Sequence, residues 1–159
     1  MLNELLKDLY RKNLGNLKEM YSVLDDQEIF DYVGPLLIYC WEEHYLSSKY
    51  KLMVIGQETN GWYSDYLINS EALCEVLALY KEFRLGDLER NSPFWRYAHE
   101  FNKRVNGVDD LNFIWCNINK FGVDSRGRTN PIVTDSENYY FNLLSEELAI
   151  LRPDVCLFL

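Results

Sequence analysis

The sequence lacks several features that mark particular classes of protein. The first residues, Met1 to Glu4, contain neither the basic stretch nor the apolar core of a secretory signal peptide. No apolar run approaches the length of a membrane span. A glycine-rich phosphate loop and a nucleophile elbow are also missing, which makes other classes of α/β hydrolase a weaker hypothesis. We therefore expect a cytoplasmic protein that does not associate with membranes.

Metal-binding residue types are scarce, with only 4 cysteines and 2 histidines. No two cysteines form a Cys-x-x-Cys pair, and Cys40, Cys116 and Cys156 lie within apolar runs. We interpret all the cysteines as reduced and mostly buried small hydrophobic residues. His44 is interpreted as a structural residue and His99 as a solvated or capping residue. Neither a metal site nor a cofactor is predicted.

Basic residues are outnumbered by acidic ones, and the formal net charge is −9. Duplex DNA binding draws most of its affinity from lysine and arginine contacts to phosphate, so strong non-specific binding is disfavoured. The only locally basic cluster is Arg126-Gly127-Arg128. Its two arginines belong either to an exposed loop or to a phosphate contact.

The chain has 159 residues, of which 48% are hydrophobic and 15% aromatic, and this composition suits one domain with a sizeable core. The sequence stops at Leu159, inside the strand-like run that begins at Val155. We therefore expect residues 1–159 to form a single α/β domain that is the N-terminal part of a longer one. The alternative is a complete small domain that ends in a core strand.

Apolar runs alternate with amphipathic segments along the chain. Short apolar runs predict strands at Leu52–Ile55, Leu111–Cys116 and Val155–Leu159. Periodic apolar residues and start signals predict helices at Met1–Lys12, Leu17–Leu24, from Asp25 onward, Leu36–Tyr45, Glu71–Phe83, from Asn91-Ser92-Pro93 onward, and Ser136–Leu151. This alternation predicts a three-layer α/β/α fold with a central, mainly parallel sheet and extra N-terminal helices.

Polar side chains follow the first two predicted strands. Gly56 ends the first strand, and Gln57-Glu58-Thr59-Asn60 and then Trp62 come next. The second strand ends at Asn117-Ile118-Asn119-Lys120. Parallel sheets place ligand sites just beyond the carboxyl ends of their strands, so these segments predict a site. The alternatives are a polar turn for Glu58, a loop cap for Asn117 and core packing for Trp62. Lys120 is expected at a solvated surface position.

These two strand ends resemble the uracil-DNA glycosylase superfamily. That family begins its site with a strand followed by Gly-Gln-Asp-Pro-Tyr or a variant, and Gly56-Gln57-Glu58-Thr59-Asn60 is similar to it. Phe113-Ile114-Trp115-Cys116-Asn117 resembles the later strand whose asparagine recognises uracil. The resemblance spans Leu52 to Leu159. It implies that Glu58 activates or orients water and that Asn117 recognises the base.

The chain departs from the family pattern at three points. Thr59 and Asn60 replace the family's Pro and Tyr, and the Tyr is the residue that excludes thymine. The late His-Pro-Ser motif has no counterpart, and we expect it to lie beyond Leu159. The resemblance therefore does not identify uracil as the substrate. It implies a chain that is inactive alone or that belongs to a longer protein.

The chemistry of the two side chains fits removal of a base from DNA. A carboxylate such as Glu58 can stabilise an oxocarbenium-like sugar and orient water. Asn117 can hold a flipped base by hydrogen bonds while Trp62 stacks on it. Gly56, Gln57, Thr59, Asn60 and Asn119 complete the predicted substrate-binding set. The expected partner is DNA, either single-stranded or with a flipped base.

Two other classes of function remain open. On the first alternative, the same fold is a non-catalytic module that binds a nucleotide or a protein partner. On the second, the chain is a different α/β hydrolase that uses Glu58 as its base. The sequence does not predict an oligomeric state.

Overall fold

The computed structural model describes residues 1–89, 91–108, 110–124 and 127–159. These residues form a mixed α/β structure around an open, three-stranded parallel sheet with strand order β2-β1-β3. The strands are β1 (Leu52–Gly56), β2 (Phe113–Asn117) and β3 (Val155–Phe158). The strand predictions are therefore confirmed to within two residues at each end.

The helices are α1 (Leu2–Asp26), α2 (Glu42–Ser47), α3 (Ser70–Phe83), α4 (Pro93–Asn106), α5 (Pro131–Tyr140) and α6 (Leu144–Leu151), with a 3₁₀ segment at Arg84–Glu89. All residues of β1 and β2 are buried, because helices and loops cover the sheet. No helix within the described parts of the chain is both long and apolar enough to cross a membrane.

The first helix is longer than the sequence predicted. A first helix over Met1–Lys12 was expected, but α1 continues past Gly15 to Asp26 because Leu17, Met20 and Leu24 extend its buried stripe. Gly15 itself is exposed, and one glycine in a helix costs only about 1 kcal/mol. The predicted helix start at Asp25 is wrong, since this position is the end of α1.

The predicted helix at Leu36–Tyr45 is also wrong for most of its length, since only Glu42–Ser47 is helical. The segment before it has no regular secondary structure, and Leu36 through Ile38 are completely buried. Its backbone is bonded to groups from elsewhere in the chain: Leu36 N donates to Lys120 O at 2.8 Å and Ile38 N donates to Tyr10 Oη at 3.0 Å. An apolar run without periodicity does not distinguish these two conformations.

The helices after β1 match the predictions more closely. Asn69 caps the start of helix α3, and Ser92 caps the start of α4. The Ser92 Oγ atom accepts a hydrogen bond from Trp95 N at 3.3 Å. The predicted helix Ser136–Leu151 is divided into α5 and α6. Helix α5 begins earlier than expected because Asn130 caps it and Pro131 occupies its first turn.

Helix α3 is joined to β2 through one tyrosine. Tyr80 Oη donates to Trp115 O at 2.8 Å and accepts from Trp115 N at 3.0 Å. The two rings are stacked with centroids 5.9 Å apart. The backbone of Trp115, the central residue of β2, is thus hydrogen-bonded to the Tyr80 side chain. This bond lies on the edge of the strand that faces away from β1.

Lys120, expected on the surface, is buried. Its Nζ forms an ion pair with Glu147 on α6, and the exposed fractions of the two side chains are 1% and 0%. Burial alone would lower the pKa of Lys120, but the Glu147 carboxylate raises it above its usual value, so the lysine stays charged. Tyr10 Oη donates to the other Glu147 oxygen at 2.8 Å.

A second buried carboxylate, Glu137 on α5, accepts hydrogen bonds from the backbone N–H groups of Lys120 and Phe121.

The histidines and cysteines also correct the sequence predictions. His99 is buried, not solvated, with Nε2 2.9 Å from Leu85 O. Cys40 and Cys116 are buried, and burial raises the pKa of each thiol to about 12. Cys74 and Cys156 are exposed, contrary to the prediction.

His44, expected to be structural, lies at the surface in an ion-pair contact. Its Nδ1 is 3.0 Å from Asp110 Oδ2, and the exposed fractions of the two side chains are 47% and 51%. An exposed pair of this kind contributes little to stability.

We predict that Lys120→Met lowers the free energy of unfolding by about 3–5 kcal/mol, because it leaves the Glu147 carboxylate buried without its cation. Adding Glu147→Gln to this variant should restore part of the loss. Lys7→Met is the control, because it breaks an exposed pair with Glu4 and should cost less than about 1 kcal/mol. Urea denaturation of the four proteins measures these differences, and equal losses for Lys120→Met and Lys7→Met would contradict the prediction.

The Glu137 carboxyl gives a second prediction, on pH. Burial raises its pKa from 4.5 to about 7, so between these pH values the folded protein binds a proton more tightly than the unfolded chain. The stabilisation from this group is complete below pH 4.5 and is lost as pH rises towards 7, by about 3 kcal/mol in total. Glu137→Gln should remove this slope from a plot of unfolding free energy against pH. Glu146→Gln, at an exposed position on α6, should keep it.

Candidate functional site

The candidate site is built where β1 and β2 end together. In the parallel ladder Gly56 lies opposite Asn117, so the polar residues that follow each strand leave the sheet at the same level. The pairing continues past the strands: Ile118 N donates to Gly56 O, and Asn119 N donates to Gln57 O, both at 2.9 Å. The two polar segments therefore run side by side.

A second set of contacts fixes the ends of these segments. Gly61 N donates to Val123 O at 2.9 Å, and Asn60 forms a parallel bridge with Val123. Gly122 lies against Thr59, and a Cβ at position 122 would be 1.9 Å from Thr59 O. Only glycine allows this close backbone approach. The loop after β1 is thus attached along its length to the loop after β2.

Asn117 is held in one orientation by its neighbours. Trp115 Nε1 donates to Asn117 Oδ1 at 3.2 Å, and the asparagine is only 2% exposed. A Cβ at position 56 would lie 2.5 Å from the same oxygen, so Oδ1 is packed against Gly56. The Asn117 Nδ2 group is buried and has no hydrogen-bond partner among the described residues.

Glu58 is oriented by a residue that sequence reasoning did not identify. Thr129 Oγ1 donates to Glu58 Oε2 at 2.7 Å, across 71 positions of the chain. Thr129 is buried, whereas Glu58 is half-buried. The threonine occupies one carboxylate oxygen, and Oε1 has no hydrogen bond from the residues that the structure describes, so it can bind water or a ligand. No local pattern in the sequence connects these two positions.

Glu58 and Asn117 line the same cavity, which has a volume of about 620 Å³. The cavity is rich in aromatic residues: its wall includes Trp62, Phe83, Phe94, Trp95 and Trp115. Among the described residues that line the cavity, the charged side chains are two carboxylates, Glu58 and Glu89. The arrangement combines flat apolar walls, a carboxylate and an amide.

All but one of the other predicted site residues also line this cavity. Gly56, Gln57, Thr59, Asn60 and Trp62 line the cavity together with Glu58 and Asn117. Asn119 is half-buried, and its backbone joins the two loops; it is not among the residues that line this cavity. The Trp62 ring packs edge-to-face on Phe83 and Trp115, at 5.4 Å between centroids in both cases, so it belongs to the wall as well as to the core.

Several lining residues were not predicted as part of a site. Ser92, Phe94 and Trp95 were assigned only to the helix that was predicted from Asn91 onward, and Glu89 had no assigned role. The start signal at Ser92 was present in the sequence, but nothing in it placed the first turn of α4 beside β1. Phe94 is close to the strand end, since a Cβ at Gly56 would lie 3.2 Å from its ring.

The basic cluster is only partly described. Arg128 is exposed next to Thr129 and lines a separate cavity with Thr129 and Asp31. Arg126 lies outside the described residues. Within the residues that the structure describes, no group of three histidine, cysteine or carboxylate side chains could hold a metal ion.

Comparisons with protein-family models, with curated proteins and with solved structures found no match for this chain.

We predict opposite effects for two glycine-to-alanine changes. Gly56→Ala should displace the Asn117 side chain and lower the free energy of unfolding by about 1–3 kcal/mol, because the new methyl group meets Oδ1. Gly15→Ala is the control: a Cβ there meets nothing within 4 Å, so helix propensity should stabilise the protein by about 0.5–1 kcal/mol. Thermal denaturation measures both, and a neutral or stabilising Gly56→Ala would contradict the packing of Asn117.

Proposed function

We propose that this chain is a uracil-DNA-glycosylase-like protein that hydrolyses the N-glycosidic bond of a flipped, damaged base in DNA. The observation that carries the proposal is that neighbouring strand ends deliver one carboxylate, Glu58, and one carboxamide, Asn117, to the same aromatic-lined cavity. The three-layer α/β/α fold of that superfamily and a cytoplasmic location belong to the same proposal. No cofactor takes part in it.

The reaction needs one activated water and one leaving group. Glu58 orients a water molecule through its Oε1 atom, and the water oxygen attacks C1′ of the deoxyribose as the bond from C1′ to the base nitrogen breaks. The electron pair of that bond leaves with the base, and the proton of the water passes to the carboxylate. The same carboxylate stabilises the positive charge that develops on the sugar. Thr129 keeps the carboxylate in position through its hydrogen bond.

The base would lie against the aromatic wall. Trp62 and Phe94 both line the cavity with Asn117, so a flipped base can contact a flat ring while its edge meets the amide. Stacking on aromatic side chains contributes about 1–3 kcal/mol per base and does not depend on the identity of the base. Asn117 then supplies the hydrogen bonding that distinguishes one base from another.

A non-catalytic module is the second candidate, and the charge distribution favours it. The net charge is −9, and Glu58 and Glu89 both line the cavity. These carboxylates repel a phosphate backbone at the cavity, so binding of a nucleotide partner would depend on a cation outside it. Arg128 is the exposed basic residue closest in the chain to Thr129, and on this alternative it contributes to binding without turnover.

The test uses the full chain with single-stranded oligonucleotides that contain uracil, hypoxanthine or xanthine, followed by alkali to reveal abasic sites. Glu58→Gln should lower the cleavage rate by about 10²–10⁴-fold, because the neutral amide cannot accept the proton of the water. Glu89→Gln is the matched control, since it removes the other cavity carboxylate and should stay near the wild-type rate. Gel electrophoresis of the products measures the rates.

Two outcomes would remove the enzyme hypothesis: no cleavage of any oligonucleotide, or a Glu58→Gln rate equal to that of the wild type. Oligonucleotide binding without cleavage, lost in Arg128→Ala, would support the non-catalytic module instead. Fluorescence anisotropy of the labelled oligonucleotides measures that binding.

A further inference from the structure

The cavity contains buried hydrogen-bond donors that are not satisfied. Asn117 Nδ2 and Trp62 Nε1 are both buried, and neither has a hydrogen-bond partner among residues 1–89, 91–108, 110–124 and 127–159. A buried polar group without a partner costs about 1–3 kcal/mol. Both residues line the cavity, so a ligand there can supply the missing partners.

The orientation of the Asn117 amide follows from Trp115. An indole N–H group can only donate, so the Asn117 atom 3.2 Å from Trp115 Nε1 must be the oxygen. The same oxygen is packed against Gly56, where a Cβ would lie 2.5 Å from it. The oxygen is thus enclosed by the strand ends, and the NH₂ group is the part of Asn117 left for a ligand.

Trp62 can only donate as well, since its polar atom is an indole N–H. A third buried atom without a partner in the described chain, Thr59 Oγ1, lies near Gly122, 2.9 Å from where a Cβ would be. Thr59 is therefore turned towards the junction of the two loops. Among the lining residues, Asn117 and Trp62 are the ones whose buried donors lack a partner within the described chain.

We infer that the cavity selects a base whose edge presents two neighbouring acceptors, which is the O6 and N7 edge of a 6-oxopurine such as hypoxanthine. This inference rests on the proposed function, because it takes the ligand to be a nucleobase. On 6-oxopurines O6 and N7 are both acceptors and lie side by side. Uracil in DNA places its one N–H group, at N3, between its two carbonyl oxygens, so two neighbouring donors of the cavity would bring one donor against N3–H.

The same two donors also suit the reaction. When the bond from C1′ to N9 breaks, the departing purine takes the electron pair, and negative charge spreads over its ring atoms, including O6 and N7. Hydrogen bonds from Asn117 and Trp62 become stronger as this charge develops, which stabilises the transition state more than the ground state. The recognition of the base and the stabilisation of the leaving group thus use the same contacts.

The experiment compares single-stranded thymidine oligonucleotides that carry one central deoxyinosine, 7-deaza-deoxyinosine or deoxyuridine. The 7-deaza base replaces N7 with C–H and so removes one acceptor while keeping the shape. Anisotropy measures binding to the full chain carrying Glu58→Gln, which should not cleave. We expect deoxyinosine to bind best and the 7-deaza analogue about tenfold more weakly, as for one lost hydrogen bond.

Variants then identify the donors. Trp62→Phe keeps an aromatic ring and removes the N–H group, so it should make deoxyinosine and its 7-deaza analogue bind alike. If the Asn117 amide faces N7 in place of the Trp62 indole, then Asn117→Asp, and not Trp62→Phe, should make the two bases bind alike. Trp41→Phe is the control, since Trp41 lines a different cavity, and it should keep the difference between the two bases.

The outcomes separate this inference from the proposed function. Deoxyuridine binding as tightly as deoxyinosine, or no effect of the 7-deaza change, would overturn the pairing of the two donors with O6 and N7, even if the wild-type chain cleaves uracil. Preferential binding of deoxyinosine without cleavage by the wild type would support the inference and contradict the hydrolytic function. No binding above that of an unmodified thymidine oligonucleotide would contradict the inference.

Discussion

The packing of the Asn117 side-chain oxygen between the Gly56 backbone and the Trp115 indole is the contact on which the candidate site depends. It requires a glycine at the last position of β1, because any Cβ there would occupy the space of that oxygen. It also requires the register that places Gly56 opposite Asn117. Sheet pairing, one glycine and one indole N–H together determine which atoms of the asparagine face the cavity.

This arrangement is supported from beyond the strand end. Lys120 follows Asn117 by three residues, and its ammonium group is paired with Glu147 in the core, while its backbone N–H is bonded to Glu137. Lys120 thus anchors the loop to α6 through its side chain and to α5 through its backbone, and its ammonium group does not extend into solvent. Buried ion pairs contribute little net stability compared with apolar residues, but they specify one arrangement when every partner is satisfied. Here that arrangement is the path of the loop beside the cavity.

The sequence predicted the parts of this structure that local chemistry determines. The apolar runs gave the three strands, and capping residues such as Ser92 gave helix starts. The parallel order of the strands placed Glu58 and Asn117 at one edge, and both line one cavity. The strand and helix predictions succeeded because each depends on residues close together in the chain.

The failures at Lys120, at Thr129 and in the segment around Ile38 involve long-range contacts. Lys120 was expected in solvent because its partner Glu147 is 27 positions away, and Thr129 was not identified because it meets Glu58 only in the folded chain. The segment around Ile38 was assigned to a helix because its hydrogen-bond partner, the Tyr10 hydroxyl, could not be foreseen. Periodicity describes how one segment could bury its own side chains, but not which distant groups bond to its backbone.

The bond between Tyr80 and the outer edge of β2 has a consequence for how the sheet meets other chains. A strand that added to this edge would have to displace the Tyr80 hydroxyl from both the N–H and the C=O of Trp115. Exposed strand edges are templates for unwanted association, and natural proteins often cover them. On β2 the Tyr80 hydroxyl covers the edge at the central residue. The side chain that attaches α3 to the sheet therefore also opposes strand pairing with another chain at this edge.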